Sequence, residues 1–297
     1  MTTQELVDAI DAVIYADVFD SAVTLEEARR YARVALADAE TLTRDERLRP
    51  LLVEQGGVIA LSPRTELLAE RNDVSHRATI LAQRARRVAR VLRHTPFVRG
   101  IALTGSVAAG NAHPDADVDL LVIVADGRIG TVFLFLGSAS RVLGRRCFCP
   151  NLYLAETHIA IEPSSRYVER ELAQAQMLVG PPGTLRDANP WLDAVFPNLP
   201  DGGPTLGGGG RVQRAFERIL GGSAGRRLEG RARVIAAGRL ANHYVGQVPE
   251  EIAARLASGE GLRFHRGGLE ERIPARYAGR RSEIEAALSS PTAARNV

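Results

Sequence analysis

An α/β centre set between two helical regions is what the sequence predicts, and three observations predict it. Short apolar runs of strand length alternate with helix-like stretches between residues 95 and 162, the pattern of a sheet with helices packed on it. Ahead of them, helical periodicity runs into GGVIALSP, a glycine turn followed by a short strand. Behind them, beyond Gly210, the chain carries only helical periodicity. The expected divisions are a winged-helix-like helical unit over 1–75, an α/β core over 76–200, a glycine-rich linker over 201–210 and a C-terminal helical region over 211–297.

The front unit begins with ELVDAIDAVIYADVF, apolar at helical spacing. TLEEARRYARVA follows, with Thr24 and Glu27 in the register of a capping box. A third helix-like stretch, Arg44 to Glu54, precedes the glycine turn, and helices closed by a brief β-element of this size suggest a winged helix. From His76 to His94 an amphipathic helix is expected, with Leu81, Ala85, Val88 and Leu92 on one stripe and Arg86, Arg87, Arg90 and Arg93 on the other side. FVRGIAL and DVDLLVIV read as strands separated by TGSVAAGNAHP, a loop or helix start. Ile129 to Leu143 reads as a helix, and NLYLA and HIAIE as two short strands. SRYVERELAQAQMLV resembles one helix, and DGGPTLGGGG has the composition of a flexible linker.

Composition excludes several chemistries. All 38 cationic side chains are arginine, so no lysine can form a Schiff base, carry a covalent nucleotide or complete a Walker A loop. Cys147 and Cys149 sit one residue apart, a spacing that points strand side chains to opposite faces and suits free thiols better than a disulfide. No apolar stretch approaches the roughly 20 residues that span a bilayer, and no signal-like pattern opens the sequence, so a cytoplasmic protein without a membrane partner is expected. The front unit mixes charge signs where a DNA-reading helix is usually plainly basic, which leaves nucleic acid as a less favoured partner.

The chemistry gathers in LTGSVAAGNAHPDADVDLLVIV, Leu103 to Val124. Asp115, Asp117 and Asp119 lie at alternate positions before a buried-looking strand, and in extended chain Asp117 and Asp119 share a face. Like charges that close repel unless protonated or bridged, and a divalent cation is the natural bridge. Upstream, Gly105 and Ser106 follow a strand where backbone N–H groups and a hydroxyl can hold phosphate. His113 lies within the motif, where a histidine can be a base or a ligand, but beside Pro114 a solvent-exposed loop residue is expected, and no spacing supports a role for His265.

This stretch resembles the signature of the DNA polymerase β-like nucleotidyltransferase superfamily through Gly105, Ser106, Ala108, Gly110, Ala112, Pro114, Asp115, Asp117, Val118, Asp119 and Leu120. Short bacterial members of that superfamily usually carry basic residues where this chain has Val107 and Ala109. The resemblance implies a nucleotidyltransferase fold, a short mixed sheet flanked by helices, and transfer of a nucleoside monophosphate from a triphosphate such as ATP to an acceptor. It implies two magnesium ions, with manganese as an alternative, held by Asp117 and Asp119 as the catalytic carboxylates, with Gly105 and Ser106 gripping the nucleotide. Members usually add a third carboxylate from a neighbouring strand. Here CPNLYLA offers Asn151 at that position, with Glu156 and Glu162 as alternatives further on. A small-molecule acceptor is favoured, and the alternative is a nucleotide-binding regulatory or weakly active relative, associated with DNA through the front unit.

Overall fold

The computed structural model describes residues 1–241, 249–258, 262–263 and 269–290. Its front unit runs α1 (Thr3–Ala9), α2 (Asp11–Asp17), β1 (Val23–Thr24), α3 (Leu25–Arg30), α4 (Thr41–Arg44), β2 (Leu52–Gln55) and β3 (Val58–Leu61). The three strands form an antiparallel sheet in the order β1-β3-β2. α3 starts with the expected capping box: Glu27 N donates to Thr24 Oγ1 at 3.1 Å, and Thr24 N donates to Glu27 Oε2 at 2.8 Å. The helix expected over Arg44 to Glu54 is absent, because α4 ends at Arg44 and residues 52–55 pair with β3 instead.

A single long helix, α5 (Glu66–Leu92), joins this unit to the centre, so the helix expected from His76 begins at Glu66. Its apolar stripe packs on the sheet through Ala85 and Leu92, with Leu81 and Val88 partly buried beside them, while Arg86, Arg87 and Arg90 remain exposed. The centre continues β4 (Val98–Leu103), α6 (Gly105–Ala108), β5 (Asp119–Val124), α7 (Ile129–Leu143), β6 (Cys149–Ala155), α8 (Arg166–Gln174) and β7 (Gln176–Val179), then two short helices, α9 (Thr184–Asp187) and α10 (Trp191–Val195). α11 (Gly210–Gly221), α12 (Ser223–Ala241), α13 (Pro249–Ser258), β8 (Leu262–Arg263) and α14 (Leu269–Ser289) complete the order.

The main sheet is mixed, in the order β7-β4-β5-β6-β8, with β5 and β6 parallel and the other neighbours antiparallel. Alternation along β5 divides two cores. Val118, Leu120, Val122 and Val124 join α5, α7, α12 and α13 on one face. Leu121 and Ile123 join Leu172 of α8 and Leu192 of α10 on the other.

Three expectations are corrected here. QMLV leaves the predicted helix and pairs with β4 as the edge strand β7. HIAIE is no strand: Ile161 N donates to Asn189 Oδ1 at 2.7 Å and Ile161 O accepts from Trp191 Nε1 at 2.9 Å, so side chains take the backbone groups a ladder would use. The glycine-rich stretch does not run free, since Leu206 bridges to Val179 and Gly209 O lies 3.0 Å from His94 Nδ1. The last helix, α14, returns to the front unit, where Ile273, Tyr277, Ile284 and Leu288 share a core with Leu6, Ile10 and Ile14. Fully buried Asp11 binds Arg166 and Tyr277 there, and Asp17 pairs with Arg280 at 2.8 Å. Among the described residues no helix is long and apolar enough to cross a membrane.

Candidate functional site

β4 and β5 are antiparallel neighbours, so the turn that leaves β4 lies beside the residue that opens β5. Thr104 N donates to Asp119 O at 3.0 Å, and the chain then swings into the short helix α6 at Gly105. Gly105 has φ +67°, and a β-carbon there would stand 2.6 Å from Asp119 Oδ2. Glycine is required twice over, by backbone angle and by the carboxylate pressed against it. Ser106 follows, and Asn111 N closes the loop onto Ser106 O at 2.8 Å.

Asp119 and Asp117 come close enough to feel each other's charge. Burial first, and then negative Asp117, push the Asp119 carboxyl up to about 7, with Arg145 opposing the rise. Asp117 precedes the strand and pairs with Arg145 Nε at 2.9 Å, while exposed Asp115 pairs with Arg146. Both cysteines are free thiols. Cys149 sits opposite Asp119 across β5 and β6, and burial with the Asp119 charge raises its pKa. His113 is exposed, and His265 lies outside the described residues.

Asn151 lies at the register shift of β6, where Pro150 faces Leu120 and Leu152 faces Leu121. It is buried and shares with Gly105, Ser106 and Asp119 the lining of a cavity of about 270 Å³. The structure therefore brings four predicted positions together. The other two carboxylates are elsewhere: Glu156 follows the far end of β6 and pairs with Arg99 at 3.4 Å, and Glu162 is an exposed loop residue outside the cavity. Among the described residues no cluster of three or more His, Cys, Asp or Glu side chains could enclose a metal ion.

The rest of the wall could not be read as a unit from the sequence. Tyr15, Phe19 and Tyr31 of the front unit and Arg170 of α8 line the same cavity. The stretch 108–112, at the end of α6 and beyond it, is held through its carbonyls, in part by cavity-lining Arg71. Arg71 Nη1 donates to Gly110 O at 2.8 Å, Arg77 Nε to Ala112 O at 3.0 Å, and Gln176 Nε2 to Ala108 O at 3.1 Å. Val107, where the resemblance led to the expectation of a basic residue, is buried in the core. Arg30 and Arg86 instead line an adjoining groove along Val107–Gly110.

Residues 85–164 match the family model described as Nucleotidyltransferase domain, consistent with the DNA polymerase β-like nucleotidyltransferase superfamily. The match takes in β4, α6, β5, α7 and β6, and leaves out the front unit and the C-terminal helices. No curated protein and no solved structure matches the chain. A nucleotidyltransferase domain implies a nucleotide substrate and belongs to a family that typically uses divalent metals.

Proposed function

We propose that the protein is a magnesium-dependent nucleotidyltransferase that moves a nucleoside monophosphate from a triphosphate to a small-molecule acceptor bound in the cavity. The observation that carries this reading is the contact of Asp119 with the Gly105 turn, at the edge of a cavity that also holds Ser106 and Asn151. The donor types suit a hard cation: carboxylates and an amide supply oxygen ligands of the kind magnesium combines with water and phosphate oxygens, though Asp117 must first exchange its pairing with Arg145 for the ion. Asp117 and Asp119 would hold it, and manganese has the same ligand preference. When bound, the ions neutralise the polyphosphate and keep attacking and leaving oxygens in line.

The chain's own part is positioning. Gly105 and Ser106 grip the triphosphate, and Asn151 orients the acceptor hydroxyl by hydrogen bonding. The acceptor oxygen forms the new bond to the α-phosphorus, pyrophosphate leaves, and the hydroxyl proton passes to solvent or a carboxylate. An amide cannot take that proton, so acceptors that ionise easily are favoured. The test is a panel of nucleoside triphosphates, ATP first, incubated with magnesium and cell metabolites and read by mass spectrometry for a nucleotidylated product.

A second reading, a nucleotide-binding regulatory relative with little transfer activity, is favoured by the ion pair between Asp117 and Arg145 and by Asn151 itself. Triphosphate binding without product for any acceptor would support it. The strand order β1-β3-β2 with preceding helices supports a winged-helix reading of the front unit. Its mixed charge nevertheless predicts only weak, sequence-independent binding to duplex DNA in a fluorescence-anisotropy titration at physiological salt. Sub-micromolar, sequence-selective binding would favour the regulator.

Asn151→Asp separates the two readings further. A carboxylate at this buried position should lower the melting temperature of the metal-free protein, because it adds a desolvated charge to a site that already holds Asp119. It should tighten magnesium binding, and in a slow transferase it should raise turnover, a base being worth about 10²–10⁴ in rate. Unchanged metal affinity and turnover would show that Asn151 does not reach the metals.

A further inference from the structure

Arg170 is 2% exposed and lies between two tyrosines of the front unit, its guanidinium carbon 3.7 Å from the Tyr31 ring centroid and 5.4 Å from that of Tyr15. Aromatic faces stabilise a cation lying over them, yet they accept nothing from its in-plane N–H groups. Nε and Nη1 of Arg170 have no hydrogen-bond partner. One turn earlier on α8, Arg166 meets two carboxylates, Asp11 and Glu169, and leaves only Nε idle, whereas Arg170 meets none among the described residues. Arg170 instead lines the cavity that holds Asp119, Ser106 and Asn151. Burial depresses its pKa, as it does for a cation short of compensation. A buried cation is costly, and an anion arriving in the cavity beside it offsets that cost.

We infer that Arg170 is the anion-reading residue of this cavity, receiving a phosphate or carboxylate oxygen of the substrate that fills it. The inference rests on the reading of the cavity as a substrate site and adds a substrate class: the ligand admitted beside Asp119 carries an anionic oxygen group. The aromatic pair fixes the guanidinium plane, so the charge is held beside the cavity with little further loss of freedom on binding. Lysine has no plane to lie against the two rings.

The test is isothermal titration of the metal-free, full-length protein with pyrophosphate and, separately, with citrate, in wild type and Arg170→Met. The variant should lose roughly 10- to 100-fold in affinity, the worth of charge-assisted hydrogen bonds. Its ligand-free melting temperature should stay level or rise. Loss for pyrophosphate alone assigns Arg170 to the donor's phosphates, and loss for citrate alone assigns it to an acidic acceptor. A wild type that binds neither anion, or a variant that binds both as tightly as wild type, overturns the inference. Should the variant fail to fold, the Arg170 Nε–H resonance in wild type, assigned against Arg170→Lys, must shift on titration, and an unmoved resonance overturns it equally. Neither probe needs metal or turnover. Anion binding through Arg170 in a protein that transfers no nucleotide would therefore sink the transferase reading and keep this one.

Discussion

Asp119→Asn should abolish magnesium-dependent transfer, lowering it by at least roughly 10²-fold, about 2.7 kcal/mol of transition-state stabilisation. Without metal, the same change should leave the melting temperature level or higher. The reason is the carboxyl's position: burial and Asp117 raise its pKa to about 7, against about 3.9 in an unfolded chain. Between those values the folded state binds more protons than the unfolded state, so stability of the metal-free protein falls as pH rises from about 4 through 7. The asparagine variant lacks that slope. Metal binding has the matching dependence, since the ion must displace a proton from Asp119 below pH 7 and should bind less tightly there. Thermal denaturation across that pH range, with and without magnesium, reads both effects. Asp117→Asn should cost similar activity but less of the pH slope, and full activity in either variant would end the two-carboxylate reading.

Gly105→Ala has the second large effect, through geometry alone. An alanine at φ +67° costs roughly 1–2 kcal/mol in backbone energy. Its β-carbon would also meet Asp119 Oδ2 at 2.6 Å and Asp119 Cβ at 3.3 Å. The carboxylate cannot swing aside without leaving its place, because β5 fixes its backbone between β4 and β6. A melting temperature lowered by several degrees should accompany activity as poor as that of Asp119→Asn, with magnesium affinity reduced in parallel. Wild-type metal affinity in Gly105→Ala would mean that the Asp119 oxygen facing the turn binds no metal.

Where apolar runs of clear strand or helix length stand between turn residues, the sequence was readable. β4, β5, β6 and α7 follow from apolar runs of strand or helix length, and Gly105, Ser106, Asp117 and Asp119 stand out because each adjoins such a run. QMLV was not readable, since only Ala175 separates it from α8 and four apolar-rich residues can finish a helix or begin a strand. HIAIE misled because its two isoleucines pack under α8 and α10 without pairing, a choice made by Asn189 and Trp191 far along the chain. The cavity wall was hidden for the same reason. Arg71 looks like a charge on a helix exterior until the carbonyl of Gly110 is brought to it. Arg170 looks like one of many helical arginines until Tyr15 and Tyr31 fold over it.

Glu27 answers two masters. It closes the cap of α3 onto Thr24, and both its oxygens receive Arg71 at 2.6 Å, the same guanidinium that holds Gly110 O. The start of a front-unit helix and the far end of the glycine-serine loop are thus two ends of one lever. A partner that pulls α3 away would slacken the loop, and a ligand that stiffens the loop would return the same free energy to the grip on that partner, since linkage runs equally in both directions. Occupancy of the cavity should then be legible on the outer face of the front unit, in the protection of the α3 amides against hydrogen exchange.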